Sequence, residues 1–516
     1  ANCGLPYYIG HEIGDRSALL LQTPESFRAR FNVDVRVHHE ATAIDPAARV
    51  VTVRNHQTGE SYTESYTALV LAPGATPIRP PLPGIGLPNL FTVRTVPDSD
   101  AIRRYLESEQ PQRAVVIGAG FIGLEMVENL HKLGLEVTVV EKADQVLPPL
   151  DPEMAGLMAQ AVEQMGVEVI LGDGIAAFEG EAVARAVRLE SGRVVEADLF
   201  ILGLGVRPDT TLARAAGLEI GPGGGIKVNQ FMQTSDPHIY AAGDAVETVH
   251  LVTGKAGFLP LAGPANKQGR VAGANAAGDW LKFPGAIGTA IVRVGEVVAA
   301  TAGITEKAAR RLGMRAFASY TMGGDHADYY PNAQQMVIKL VAEAETGRLL
   351  GAQAVGTTGV DKRIDILATA IMGRMTVDDL TNLDLAYAPP FASAKDPAVV
   401  VGMVAQNILR GQARAVTPVA LAARLEAGDP LQVVDVREPH EYLVDALPGA
   451  VNIPLDELRG RLGELSSAQE TVVYDENGQK AYWASRVLAQ QGFRSVAALT
   501  GGFVVWSAAR PAPVVR

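Results

Sequence analysis

Between positions 33 and 80, short apolar runs rich in β-branched residues alternate with turn residues. Residues 33–37, 50–54 and 68–71 read as strands, with no long helix among them. Ala72, Pro73, Gly74 and Ala75 end the last run abruptly. Pro77, Pro80, Pro81, Pro83 and Pro88 then make an extended crossover at a domain edge. After this the period changes. Residues 114–117 form a continuous apolar run of the buried-strand type, a glycine-rich turn follows, and an amphipathic helix runs to Leu133 before a second strand at 135–141. Residues 69–74 with Pro77 echo residues 200–205 with Arg207 and Pro208. Each is an apolar strand, a small-residue turn and a proline, which suggests two related nucleotide domains.

From about 291 to 408 the pattern becomes strands with few paired glycines (336–342, 349–355) and helices (364–372, 377–383), the signature of a third, α+β domain. Residues 411–418 read as a linker. Strands at 431–436, 471–474 and 495–499, separated by helical patterns, close the chain with a small α/β module.

Composition narrows the class. A chain of 516 residues exceeds one compact core, and 45 basic against 57 acidic residues give a net charge of −12, which argues against nucleic-acid binding. No stretch reaches the length of uncharged apolar sequence that a membrane helix requires: residues 286–302 are interrupted by Arg293 and Glu296. The single cysteine, Cys3, excludes an internal disulfide and a cysteine-based zinc site, and fits a reducing, cytoplasmic compartment. No metal site is expected. The opening Ala1, Asn2, Cys3, Gly4 carries neither an initiator Met nor a signal peptide and reads as a fragment.

Gly118, Gly120 and Gly123 stand where the chain must turn tightly, approach a pyrophosphate and pack helix against strand, and the helix start supplies amide donors. Glu141 ends the second strand 18 residues after Gly123, where a carboxylate accepts both adenine-ribose hydroxyls and disfavours a 2′-phosphate. Lys142 beside it leaves NADPH open. Residues 239–244 read as a strand ending in Gly243 and Asp244 before a helix. Asp244 is then either a helix cap or an acceptor for a ribityl hydroxyl of a flavin.

Together, Asn2 through Tyr8, residues 118–123 and 240–244, Ala388-Pro389-Pro390 and Lys395-Asp396 resemble the single-cysteine flavin disulfide reductases. Within these, the likeness is to the rhodanese-fused coenzyme A disulfide reductase or NAD(P)H-dependent persulfide (polysulfide) reductase family. The resemblance implies an α/β chain in five segments. These are 1–111 and 237–290 for an FAD-binding domain, 112–236 for an NAD(P)-binding domain, 291–408 for an α+β dimerisation domain and 417–516 for a rhodanese-like domain. It also implies that an N-terminal strand and first glycine-rich loop for the FAD pyrophosphate precede Asn2 in such proteins, so that this chain by itself should bind FAD poorly. In the last segment, residues 435–439, 448–454 and 501–503 resemble the rhodanese frame, yet Asp475 stands where its nucleophilic cysteine belongs. A carboxylate cannot carry a stable persulfide, so this loop is expected to be degenerate.

The same likeness implies roles for single residues. Cys3 alternates between a thiolate and a mixed disulfide with coenzyme A, consistent with thiolate attack on sulfur. Tyr329 and Tyr387 reach from the partner subunit of a homodimer and protonate the leaving thiolate, and Tyr330 stands beside them. Cofactor contacts fall at Ala41, Pro73, Gly74, Gly205, Gly243, Asp244 and Tyr387, and substrate contacts at Asn2, Asn266 and Lys395. Arg16 and Arg30 lie near the same mouth in sequence without a motif to fix them. The expected cofactors are FAD and NADH or NADPH, with coenzyme A as substrate. Two other readings remain: an NADH oxidase or peroxidase cycling through a Cys3 sulfenic acid, and a non-catalytic flavin redox sensor or scaffold for a sulfur-carrier partner.

Overall fold

The computed structural model describes residues 2–509. The chain divides into two compact units. The first runs up to Lys142 and resumes over Val167–Gly288; the second comprises Ala143–Gly166 and the chain from Thr289.

In the first unit, a five-stranded parallel sheet has the order Leu90–Phe91, Leu199–Leu202, Arg113–Ile117, Glu136–Val140, Glu168–Ile170. Its central strands, Arg113–Ile117 and Leu199–Leu202, are buried on both faces, which is why they read as unbroken apolar runs. Phe178 meets Phe200 edge to face at 5.5 Å beneath it. The strand that leads into the glycine-rich turn, Arg113–Ile117, lies between Glu136–Val140 and Leu199–Leu202. The order therefore reverses at its carboxyl end, where open α/β sheets bind ligands.

The rest of this unit is built from smaller sheets. Val50–Asn55 lies between His39–Asp45 and Ser61–Ser65 in an antiparallel meander, and Leu69–Leu71 pairs in parallel with Ile239–Ala241. The two echoing sequence segments meet: Ala75–Pro77 pairs antiparallel with Val206–Pro208. Three expectations need correction. Residues 33–37 form no strand, because Val33 and Val37 are exposed and no neighbouring strand pairs with them. Asp244 precedes no α-helix: it lies in a single 3₁₀ turn, Gly243–Ala245, that runs directly into the strand Glu247–Val249. The helix expected over 377–383 is one turn, Val377–Leu380, closed by a Thr376/Asp379 capping box.

The second unit holds a five-stranded antiparallel sheet in the order Ala290–Val294, Val297–Gly303, Leu349–Gly356, Gln335–Glu343, Ala316–Gly324. The helices Val360–Met372 and Pro397–Leu409 pack against it. It also holds a parallel five-stranded sheet, Ala415–Val416, Val496–Leu499, Glu470–Tyr474, Leu431–Asp435, Val451–Asn452. The module built on this second sheet is not loosely tethered. Its last helix, Gly502–Ala509, packs on Pro152–Gln164, and a Cβ on Gly156 would fall 1.9 Å from the Ala508 carbonyl oxygen. The Tyr320 amide donates to Thr500 Oγ1 at 3.1 Å. The expected end of this module at 516 lies outside the described residues.

Candidate functional site

The loop 118–123 follows Ile117 with Gly118 in a left-handed conformation, φ 101°, where a Cβ would stand 2.4 Å from the Gly203 carbonyl oxygen. Gly123 passes so close to Gly118 that a Cβ would fall 1.8 Å from its carbonyl oxygen, and Gly120 caps the helix Phe121–Lys132 with no side chain of its own. The glycines thus allow the turn, the close packing and the open amides that a phosphate requires. A cavity of about 330 Å³ opens here, lined by Gly118, Glu141, Lys142, Glu190 and Leu204 among others. Glu141 Oε2 accepts from the Ala119 amide at 2.8 Å, which holds the carboxylate at the mouth of the loop.

Cys3 is exposed in the 3₁₀ turn Asn2–Gly4, which leads into the short helix Leu5–Ile9. Leu5 and Ile9 are fully buried, and this helix packs on Val96–Glu109 and on Phe121–Lys132, the helix that leaves the glycine loop. Gly10 permits the approach, since a Cβ there would overlap the Asn129 side chain. Tyr7 OH donates to Glu125 Oε1 at 3.4 Å, and Tyr8 OH donates to Asp100 Oδ1 at 3.2 Å. Burial pushes the Glu125 carboxyl up to about 7, opposed by the Tyr7 hydrogen bond. Arg16 is taken up by Asp100 at 2.9 Å, whereas Arg30 is exposed on the helix Pro24–Phe31.

A second group gathers around Asp244. Its carboxylate lies 3.5 Å from Arg94 Nη1, and Gly74, at φ 75°, leaves room for the same guanidinium, 2.7 Å from where its Cβ would be. Gly243, at φ 82°, donates its amide to Gln268 Oε1 at 2.9 Å. An acceptor, a cation and two left-handed glycines suit a flavin's ribityl and pyrophosphate oxygens. Nothing local in the sequence marks Arg94 or Gln268 for this role: Arg94 only precedes the capping box Thr95/Asp98. Pro73 is exposed beside Gly74, and the Gly205 carbonyl accepts from the Ile78 amide at 3.0 Å. Ala41 is exposed in the meander at a bulge between Ala41 and Ala43. Asn266 is exposed on the helix Ala262–Ala276, its side-chain amide donating to Ala262 O at 2.9 Å.

In the second unit, Tyr329 and Tyr387 are exposed and share a hydroxyl–hydroxyl bond of 3.0 Å, which raises the Tyr329 phenol. Tyr330 is apart from the pair, its ring against His326. Lys395 is exposed, but its neighbour Asp396 is structural: it caps the helix Pro397–Leu409 and is paired in the interior with Arg363 at 2.9 Å. Asp151, Glu153 and Glu306 converge closely enough to suggest a cation site. The buried ammonium of Lys339 already stands among them, 2.9 Å from Asp151 and 2.8 Å from Glu306, and takes the central position.

Asp475 is buried at the end of Glu470–Tyr474, and its carboxyl accepts from the Gly478 amide at 2.7 Å and the Lys480 amide at 2.9 Å. Burial raises it while these amides, with those of Ala481 and Asn477, pull the other way. The loop's donors are thus turned on the Asp475 carboxyl.

Residues 1–269 match the pyridine nucleotide-disulphide oxidoreductase family, 289–399 its dimerisation domain and 417–509 a rhodanese-like domain. The chain is 37% identical over 405 residues to an NAD(P)H sulfur oxidoreductase (CoA-dependent) of Pyrococcus abyssi, covering 78% of this chain and 89% of that one. Among solved structures it resembles reduced CoADR-RHD of Bacillus anthracis, with a TM-score of 0.95, 44% identity, and coverage of 99% of this chain and 91% of that one. It also resembles an NAD-dependent persulfide reductase from A. fulgidus, with a TM-score of 0.92, 38% identity, and coverage of 98% and 92%. Among the described residues no helix is long and apolar enough to cross a membrane.

Proposed function

The chain belongs to the pyridine nucleotide-disulphide oxidoreductases, and on that premise we propose that it is an FAD-dependent enzyme that oxidises NADH and reduces a coenzyme A disulfide, persulfide or polysulfide at Cys3. The observation that carries this reading is the mounting of the cysteine turn on the helix that leaves the glycine loop, through Leu5, Ile9 and the Tyr7–Glu125 bond. Thiol and nucleotide loop thereby share one packed support.

Gly118, Gly120 and Gly123 would hold the nicotinamide nucleotide's pyrophosphate, and Glu141 its adenine ribose. Gly74, Arg94, Gly243 and Asp244 would hold the flavin's ribityl and phosphate oxygens. Bound flavin supplies the two-electron link between nicotinamide and sulfur. The chain's own part is sulfur and proton handling. The Cys3 thiolate attacks the sulfur bonded to coenzyme A, a new S–S bond forms as the old one breaks, and the leaving sulfur takes a proton. We assign that proton to the Tyr329–Tyr387 pair of the partner protomer, whose shared hydrogen bond keeps one hydroxyl aligned as donor. Asn2, Asn266 and Lys395 are assigned to the coenzyme A moiety. The terminal module, with Asp475 for a nucleophile, is assigned to docking a sulfur carrier rather than to sulfur transfer, and the enzyme to a reducing cytoplasm.

Steady-state NADH oxidation by the flavin-loaded protein tests the reading. Turnover that depends on coenzyme A persulfide or disulfide supports it. Equal turnover with oxygen or peroxide and no sulfur substrate would identify an oxidase or peroxidase instead.

A further inference from the structure

The nucleotide cavity is lined by three carboxylates, Glu141, Asp173 and Glu190, and by one cation, Lys142. Lys142 follows Glu141 at the end of its strand, where an ammonium would meet a 2′-phosphate. Its Nζ is instead 2.7 Å from Glu190 Oε1. Glu190 is itself held in place: its amide donates to the Gly174 carbonyl at 2.7 Å, and its carboxyl lies where a Gly174 side chain would be, 2.7 Å from the position of a Cβ. Asp173 is engaged by the Ser191 amide and hydroxyl.

Building on the assignment of this cavity to a nicotinamide nucleotide, we propose that Glu190 is a specificity-determining residue that keeps Lys142 in an ion pair and so disfavours NADPH. Glu141 selects for the ribose hydroxyls. Glu190 does something separate, because it both removes the lining cation Lys142 from use and adds a negative charge where the 2′-phosphate would arrive. Gly174 makes this arrangement possible by leaving the space that the carboxyl fills. Both partners are substantially solvated, so the pair is weakly bound and screened by salt. The effect is therefore a bias in the ratio of two ligands.

The test compares adenosine 2′,5′-bisphosphate with 5′-AMP by calorimetric titration of the full-length protein, as wild type, Glu190→Gln, Lys142→Met and the double variant, with the NADPH-to-NADH ratio of kcat/KM as a second readout. Glu190→Gln is expected to shift the ratio of affinities toward the bisphosphate by about three- to fivefold. That shift should be clearly smaller in the Lys142→Met background, where only the charge of Glu190 itself remains to act, and should shrink at high salt. A shift of less than twofold, or one that is undiminished without Lys142, overturns the proposal. Failure of the wild type to bind 5′-AMP at all overturns the nucleotide assignment, and this inference with it.

Discussion

Two strand–loop–helix junctions in this protein follow the same plan and end in opposite states. After Arg113–Ile117, Gly118 at φ 101° turns the chain into the helix Phe121–Lys132. After Glu470–Tyr474, Gly478 at φ 94° turns it into the helix Gln479–Gln490. Both place backbone amides at the amino end of a helix, where an anion is favoured. In the first, the Ala119 amide is met by a carboxylate that reaches over from the neighbouring strand. In the second, the carboxyl belongs to the loop itself and takes two of its amides. A ligand can enter the first loop; the second has a resident. Backbone geometry suits both to anions, and one side chain decides which remains open.

The largest test separates the two by chemistry. Cys3→Ser should lower turnover with sulfur substrates by on the order of 10³-fold or more while flavin and nucleotide binding persist. Asp475→Asn in the same assay should leave reductase turnover within about twofold. A second test converts the filled loop. Wild-type protein should transfer no sulfur from thiosulfate to cyanide, and Asp475→Cys should raise that activity on the order of a hundredfold above background, since the replacement both removes the resident acceptor and restores a thiolate. No gain in a folded Asp475→Cys protein would mean that more than the nucleophile has been lost.

A third test uses proton linkage. The helix behind the open loop carries Glu125, raised to about 7 by burial, whereas Gln479–Gln490 carries no carboxyl. A carboxyl whose folded value exceeds its unfolded one leaves the native state holding more protons between the two values. Stability therefore falls as pH rises from about 4.5 to about 7, by roughly 1–3 kcal/mol. Denaturant titrations across this range should show the slope, and Glu125→Gln should flatten it. The smallest effect is geometric: Gly478→Ala must adopt a left-handed backbone and should cost about 1 kcal/mol, measured as a lower unfolding midpoint.

What could be read from the sequence was what is local. Gly118, Gly120, Gly123 and Glu141 are encoded within one strand–helix–strand unit, and Asp475 stands directly after an apolar strand. Arg94, Gln268 and Glu190 were not legible. Arg94 meets Asp244 across 150 positions, Gln268 meets Gly243 across 25, and Glu190 meets Lys142 across 48, with only the fold to bring them together. The mistaken strand at 33–37 shows the converse: β-branched residues propose a strand, but only a neighbouring edge makes one. Asp244 misled because a strand ending in Gly-Asp precedes many helices, and here another strand begins within the helix's first turn.

The close seating of Gly502–Ala509 on Pro152–Gln164 bears on whether the C-terminal module can be removed. Without the module, Gly156 would present a bare helix groove to water, and the Tyr320 amide would lose Thr500, the partner it has in the interior. The last helix of the module thus serves as a wall for the helix and sheet beside it, so that removing the module would expose surface that is now interior.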